Sequence, residues 1–261
     1  NLSKNEINVT GYDINSSVYE KIKETNINFE TSIQNVVNQN DTIVTMLPDG
    51  PIVKQVWLEI LNFANSNSSI IDCSTIDVKT SIEIQKLANK KNIKTLDAPV
   101  SGGVIGSDNG TLTFMVGGEE TTYNDNKFIF DIMGNNSILC GPIGAGQSAK
   151  ICNNMLLAST MIAVGESFNL GKSLGLDLQK LFEVISTSSG SCWAVNNYCP
   201  IKEIGPLSPA DKKFEGGFSA ALMHKDLSLA INAANQINQN VPYGQNSLNS
   251  FKKLLENNQG H

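Results

Sequence analysis

Gly146, Lys150 and Asn154 recur at four-residue intervals in the run GQSAKICNNMLL, residues 146–157, a spacing that puts them on one face of a helix. That face carries almost no charge, and on it an amine can carry a proton. Ile151, Cys152, Met155 and Leu156 flank the lysine, so its amine is expected to be desolvated, which favours the neutral form that accepts a proton. Lys150 is therefore the candidate acid/base, against the plainer reading of a lysine stretching its aliphatic stem out of a core helix. A second cluster, Ser101-Gly102-Gly103 in DAPVSGG, offers a hydroxyl and unshielded backbone N–H groups. It reads either as a nest for a small carboxylate or as a plain turn.

Other chemistries are poorly supplied. Among 261 residues there are two histidines, His224 and His261, and no arginine. A histidine triad or zinc site therefore has few candidates, and no metal site is expected. Anions must be held by backbone N–H groups, hydroxyls, amides or lysine, because bidentate guanidinium recognition is unavailable. Five cysteines, at 73, 140, 152, 192 and 199, show no C-x-x-C spacing and are expected to be reduced, mostly buried thiols of a cytosol-like or matrix-like compartment. A net charge of −6 without blocks argues against nucleic acid or anionic lipid as partner and favours small molecules. No uninterrupted apolar run is long enough for a membrane span.

The elements that must position these groups alternate between strand and helix. The first residues read as the last turns of a helix leading into the strand 9–12, which ends at Asp13. Apolar, β-branched strands are expected at 42–47, 69–73, 94–100, 112–116 and 137–140, with helices at 52–63, 77–91 and 119–133 between them. Gly117-Gly118 reads as a turn. The alternation predicts an α/β fold with a parallel, doubly wound sheet, in which ligands lie at the carboxyl ends of strands. Met46-Leu47-Pro48 and Ser74-Thr75 fall there. An acidic residue ending a strand in this setting, here Asp13, can accept hydrogen bonds from a dinucleotide's ribose; alternatively it closes the strand into the turn Asp13-Ile14-Asn15.

After Gly141-Pro142 the pattern becomes helical: a long helix at 146–171, others at 177–186, 220–239 and 243–257, and an irregular segment through 217. Two domains follow, 1–142 and 143–261, with a cleft expected between them. A first strand and a G-x-G-x-x-G phosphate loop are expected ahead of the opening helix, and the sequence as given begins after them.

DAPVSGG at 97–103 with GTLTFMVGG at 110–118 resembles the substrate motif of the β-hydroxyacid dehydrogenases, and GQSAKICNN at 146–154 resembles their G-x-x-x-K-x-x-x-N helix. MLP at 46–48, SSG-CW at 188–193, and GGF with LMHKDLSLA at 216–230 extend the resemblance over nearly the whole chain. It implies a truncated Rossmann-like doubly wound sheet followed by an all-α C-terminal domain, and NAD(P)-dependent oxidation of a β-hydroxy acid to its semialdehyde. By that resemblance Lys150 is the catalytic base, and Asn154 orients the substrate or the lysine. Ser101, Gly102 and Gly103 hold the substrate carboxylate. Leu47, Pro48, Thr75 and Lys225 line the cofactor, and Asp13 favours NAD over NADP. A homodimer or homotetramer through the helical half and a mitochondrial location are implied in the same way. The sequence departs from the family pattern in having no Gly-rich loop ahead of Asn1, Ser107 where alanine is usual, and Ser191 where SSGRCW has arginine. The last bears on substrate choice, so tartronate semialdehyde or glyoxylate reduction stays open as a sister activity, as does a non-catalytic remnant.

Overall fold

Short runs of β-branched residues closed by turn formers do become strands. The computed structural model describes residues 1–257; His261, one of the two histidines weighed above, lies outside the described residues. The chain divides into two compact units, Asn1–Lys150 and Ile151–His261.

In the first unit a 3-10 turn, Ser3–Asn5, precedes β1 (Val9–Gly11), α1 (Ser17–Ile22), β2 (Ile27–Phe29) and α2 (Ile33–Gln39). Then follow β3 (Thr42–Thr45), α3 (Gly50–Phe63), β4 (Ser69–Asp72), α4 (Val78–Asn89), β5 (Lys94–Asp97), β6 (Val100–Ser101), α5 (Gly103–Asn109), β7 (Leu112–Gly118), α6 (Glu120–Met133) and β8 (Gly134–Gly141). Helix α7 (Ala145–Ser173) carries the chain into the second unit. Aspartates start two of these helices in the way their positions suggest: Asp49 accepts from Ile52 N at 3.0 Å and Asp77 from Thr80 N at 2.8 Å.

β1 and β2 form a parallel pair of their own, and the remaining strands form one sheet in the order β3-β4-β5-β7-β6, with β8 beside β7. β3, β4 and β5 are parallel, as expected, but β7 runs antiparallel to β5 and β6, so the sheet is mixed. Gly117-Gly118 take part in this antiparallel pairing. Expected as a turn, these residues instead prolong β7 and pair with Asp97 and Leu96. The expected strand 94–100 breaks at Ala98-Pro99 into β5 and β6, since proline cannot donate to a ladder.

Both faces of this sheet are covered. Ile70 and Ile71, successive residues of β4, are each fully buried, Ile70 with Trp57, Ile60, Ile84 and Val53 and Ile71 with Leu96, Phe114, Val116 and Phe130. Successive strand residues point to opposite faces, so both sides carry a core, the arrangement meant by doubly wound.

The second unit adds α8 (Leu178–Thr187), α9 (Trp193–Asn196), a 3-10 turn at Pro209–Lys212, α10 (Ala220–Gln236) and α11 (Pro242–Glu256). Its described residues contain no strand. One core gathers Val164, Phe168, Val195 and Cys199, and another Ala158, Met223, Leu227 and Phe251. The segment expected to be irregular is tied down internally. Ser208 and Asp211 form a reciprocal cap, and the Tyr198 hydroxyl accepts from Phe218 N at 3.0 Å.

The expectation of mostly buried thiols needs correcting. All five cysteines are free, yet only Cys73 and Cys199 are buried, while Cys140 and Cys152 are exposed on β8 and α7. Ile138, on the same face of β8 as Cys140, and Leu156, on the same face of α7 as Cys152, are exposed with them, so apolar neighbours there mark no buried face. Among the described residues no helix is long and apolar enough to cross a membrane.

A buried chain of polar groups fixes the ends of β3 and β4. Trp57 Nε1 donates to Thr45 Oγ1 at 3.2 Å, and Thr45 Oγ1 donates to Asp72 Oδ1 at 2.8 Å. Ser74 Oγ donates to the same oxygen at 2.6 Å and accepts from Leu47 N at 2.8 Å. Burial pushes the Asp72 carboxyl up to about 6, against the lowering effect of these bonds. With the folded value above the unfolded one, the folded state holds the proton more tightly. This group's contribution to stability therefore falls as pH rises from about 4 to about 6 and is level above that. Asp72→Asn keeps an acceptor oxygen and does not ionise. Relative to wild type, its unfolding free energy should improve by about 1 kcal/mol between about pH 5 and pH 8, measured by urea denaturation at both.

Candidate active site

The site is organised by the end of β5. Asp97 is fully buried, and its carboxylate accepts from Gly144 N at 2.8 Å, Gln147 N at 2.9 Å and Gln85 Nε2 at 3.2 Å. The first two donors belong to the start of α7, where backbone N–H groups have no partner within the helix and the dipole favours negative charge. Asp97 thus caps α7 from about fifty residues away in sequence.

Such an approach leaves no room for a side chain at Gly146. A β-carbon there would lie 2.7 Å from the Asp97 carbonyl oxygen and 2.8 Å from Asp97 Oδ2, and would collide with the Met115 carbonyl oxygen. The next residue, Gln147, is fully buried. Its Oε1 accepts from Ile76 N at 3.1 Å and its Nε2 donates to Ser74 O at 2.8 Å.

One turn further on, Lys150 is 7% exposed, and its Nζ donates to the Val100 carbonyl at 2.8 Å. Val100 opens β6 and is followed in the chain by Ser101, Gly102 and Gly103, so the amine is held where that segment begins. The structure therefore brings the two sequence clusters together. The flanking residues expected to cover the amine divide. Of the flanking residues, Cys152 is exposed and Leu156 is 66% exposed. Ile151 is buried and Met155 half-buried, and the amine also meets a backbone carbonyl of β6.

Ser101-Gly102-Gly103 is neither a simple turn between strands nor a continuous strand. Gly102 has φ +132°, a conformation that L side chains rarely adopt, and it sits at the cap position of α5. Ser101 is half-buried, and both glycines are exposed. Ser107, which replaces the alanine usual in the resembled motif, faces solvent on α5.

Leu47 and Pro48 follow β3 and Thr75 follows β4, all at carboxyl ends of parallel strands. Thr75 lies between Ser74 and Ile76, whose backbone groups grip Gln147. Asp13 stands apart, two residues beyond β1 in the separate pair of strands. It is exposed, and its Oδ1 accepts from Asn15 N at 2.7 Å, the turn foreseen for it. In the second unit Asn154 is buried and its Nδ2 donates to Asp226 Oδ2 at 2.6 Å, while Lys225 Nζ lies 3.7 Å from Asp226 Oδ1. Asn154 and Lys225 thus share one carboxylate. Ser191, the departure from the SSGRCW pattern, is exposed, and its Oγ accepts from Asn196 Nδ2 at 2.8 Å.

Sequence reasoning missed three groups: Asp97 as a cap, Gln147 as a tie and Asp226 as the partner of Asn154. Each lay inside a quoted motif, but its role depends on a residue about fifty to seventy positions away.

Residues 1–141 match the family model described as the NAD binding domain of 6-phosphogluconate dehydrogenase. Residues 144–261 match the one described as NAD-binding of NADP-dependent 3-hydroxyisobutyrate dehydrogenase. The chain is 43% identical over 223 residues to a probable 3-hydroxyisobutyrate dehydrogenase of Mycobacterium tuberculosis, covering 85% of this chain and 76% of that one. It is 40% identical over 258 residues to a probable mitochondrial 3-hydroxyisobutyrate dehydrogenase of Dictyostelium discoideum, covering 98% and 80%. Among solved structures, that of Mycobacterium tuberculosis 3-hydroxyisobutyrate dehydrogenase with L-serine superposes with a TM-score of 0.95 at 38% identity, over 99% of this chain and 89% of that one.

The close approach at the start of α7 has a measurable consequence. Gly146→Ala should destabilise the fold by at least about 2 kcal/mol, because rigid backbone surrounds the added carbon. In the same helix Gly165 has nothing within 4 Å of an added β-carbon, and Gly165→Ala should stabilise by about 0.5–1 kcal/mol through helix propensity alone. Thermal melts of the two variants should move in opposite directions.

Proposed function

Because the chain belongs to the 3-hydroxyisobutyrate dehydrogenase family, we propose that it carries out NAD-dependent oxidation of 3-hydroxyisobutyrate to methylmalonate semialdehyde, a step of valine breakdown, with Lys150 as general acid/base. The observation that carries this reading is the Lys150 amine held 2.8 Å from the carbonyl of Val100, the residue ahead of Ser101-Gly102-Gly103.

Two acts are asked of these residues. The Ser101 hydroxyl and the backbone N–H groups of Gly102 and Gly103 bind the substrate carboxylate, and no side chain on either glycine obstructs it. The neutral Lys150 amine has two N–H bonds and one lone pair. One N–H donated to Val100 restricts its direction, and the lone pair takes the proton of the substrate hydroxyl. In the reverse direction the ammonium returns that proton. Asn154, held by Asp226, orients the substrate or the amine.

Bound NAD would supply the hydride acceptor for the carbinol carbon. The residues present suit it. Asp13 offers an exposed carboxylate to ribose hydroxyls at the end of β1, and the sequence has no arginine to receive a 2′-phosphate. NAD is therefore the favoured form over NADP. Leu47, Pro48, Thr75 and Lys225 complete the assignment of cofactor contacts.

The same reading gives residues 1–142 to cofactor binding and 143–261 to substrate binding and self-association. Leu156 and Leu170, each more than 60% exposed, fall on one face of α7, which supports a homodimer or homotetramer through the helical half. A mitochondrial location follows the Dictyostelium relative, described as mitochondrial.

Lys150→Ala should lower kcat by about 10²-fold or more while leaving NAD affinity within about threefold, since no cofactor contact is assigned to this side chain. Lys150→Arg should fail as well, because a guanidinium does not give up its proton. NADH formation on 3-hydroxyisobutyrate, with NAD titrations of each variant, checks both. Turnover by either variant close to wild type rejects the assignment.

A further inference from the structure

We infer that Gln147 is a positioning residue for the oxidation, tying the Thr75 loop to the turn of α7 that bears Lys150. The inference rests on the roles proposed above for Thr75 and Lys150. Gln147 touches neither substrate nor cofactor in that reading. It acts through backbone that carries the residues assigned to them.

The side chain is fully buried and uses both ends of its amide. Oε1 accepts from Ile76 N at 3.1 Å and Nε2 donates to Ser74 O at 2.8 Å. These two groups bracket Thr75, so the loop is clamped on either side of it. The main chain of Gln147 is in turn held to β5, with its N–H donating to Asp97 Oδ2 at 2.9 Å. Lys150 follows three residues later in the same helix, which makes the two side chains near neighbours on its surface. The path from the loop to the amine therefore runs through one buried amide and one helical turn. Nothing in this path needs the amide for packing alone. A residue of the same length without polar ends would fill the same volume, but would leave Ile76 N–H and Ser74 C=O without these partners.

Hydride and proton must leave one alcohol together, so the amine and the cofactor face need a fixed separation. A misplacement of about 1 Å can cost about 10²-fold in rate. Loss of the clamp should thus fall on kcat more than on KM, whereas a defect of folding alone would lower the active fraction and leave kcat per active site unchanged.

Gln147→Glu gives a test that titrates. As a protonated acid it reproduces both bonds, its C=O accepting from Ile76 N–H and its O–H donating to Ser74 O. As a carboxylate it still accepts from Ile76 but repels the Ser74 carbonyl. Burial favours the protonated form, so this ionisation lies above the ordinary glutamate range. The titratable groups around it are Asp97 on β5, Asp72 at the end of β4, Asp77 at the start of α4 and Lys150 on α7. All are present in wild type, so the ratio of variant to wild-type kcat isolates the new group.

With active-site concentration determined for each sample, that ratio should be within about threefold of one at about pH 5.5. It should fall at least about tenfold by about pH 8.5, with KM for 3-hydroxyisobutyrate changing less than kcat. Gln147→Met, close in volume and without polar ends, should show a lowered kcat ratio at every pH and no added ionisation. A Gln147→Glu ratio that stays flat with pH, or a loss carried by KM with kcat intact, overturns the positioning role. Lys150→Ala is run alongside. If it is silent while the Gln147→Glu ratio is flat, only the positioning role falls; if it turns over, the assignment of Lys150 falls first and takes the positioning role with it.

Discussion

The Asp97 carboxylate sets the geometry of the first unit's chemistry. A buried carboxylate and a buried helix N-terminus are each costly alone, one for its charge and the other for its unpaired N–H groups. Brought together, each satisfies the other: Asp97 accepts from Gly144 N and Gln147 N while sitting at the positive end of the α7 dipole. The fit demands bare backbone on both sides. A β-carbon on Gly117 would lie 2.8 Å from Ala145 N, and one on Gly146 would lie 2.7 Å from the Asp97 carbonyl. With the start of α7 pinned to the end of β5, four residues of helix, a rise of about 6 Å, deliver the Lys150 amine to the Val100 carbonyl.

A second buried carboxylate stands directly beside the first, because Asp72 and Asp97 are ladder partners across β4 and β5. The two are handled differently. Asp97 has a helix terminus to neutralise it. Asp72 has the Thr45 and Ser74 hydroxyls and one backbone N–H, and its Oδ2 is without a hydrogen-bond partner. Burial therefore raises the proton affinity of Asp72, and the nearby charge of Asp97 raises it further. What Asp72 secures is local: through Ser74 it draws Leu47 N–H towards β4, so the loops after β3 and β4 are joined. Gln147 then joins the second loop to α7. Residues from three separate motifs are linked by side chains that perform no chemistry themselves.

Much of this was legible in the residues. β3, β4 and the start of β5 announce themselves as apolar β-branched runs closed by proline, serine or aspartate, and Asp77 and Asp177 mark helix starts that the structure bears out. The pairing of Lys150 with Ser101-Gly102-Gly103 followed from motif resemblance, since spacing alone cannot join residues fifty positions apart. Other features were hidden for identifiable reasons. β2 has three residues with an exposed Asn28 at its centre, too short and too polar to show a period. Gly117-Gly118 carries the usual signature of a turn, yet here two glycines allow a strand to pass against Asp97. Asp97, Gln147 and Asp226 could be read only as motif letters, because their partners are remote in sequence.

Lys150 shows that sequence neighbours give an incomplete account of what surrounds a side chain. Its apolar neighbours suggested an oily helix face, and an amine in such a place would lack any polar partner. Of those neighbours Cys152 and Leu156 are exposed while Ile151 is buried, and the amine meets the Val100 carbonyl of β6. Apolar cover would make the amine neutral but leave its direction free. A carbonyl at hydrogen-bond distance accepts one N–H and so restricts where the nitrogen's other positions point. The position of this amine is therefore set by where β6 begins, and hence by the break at Ala98-Pro99 and the pinning of α7 to Asp97. Substitutions that move β6 or loosen the Asp97 cap act on the same geometry as substitution of the lysine itself, although they lie outside the helix that carries it.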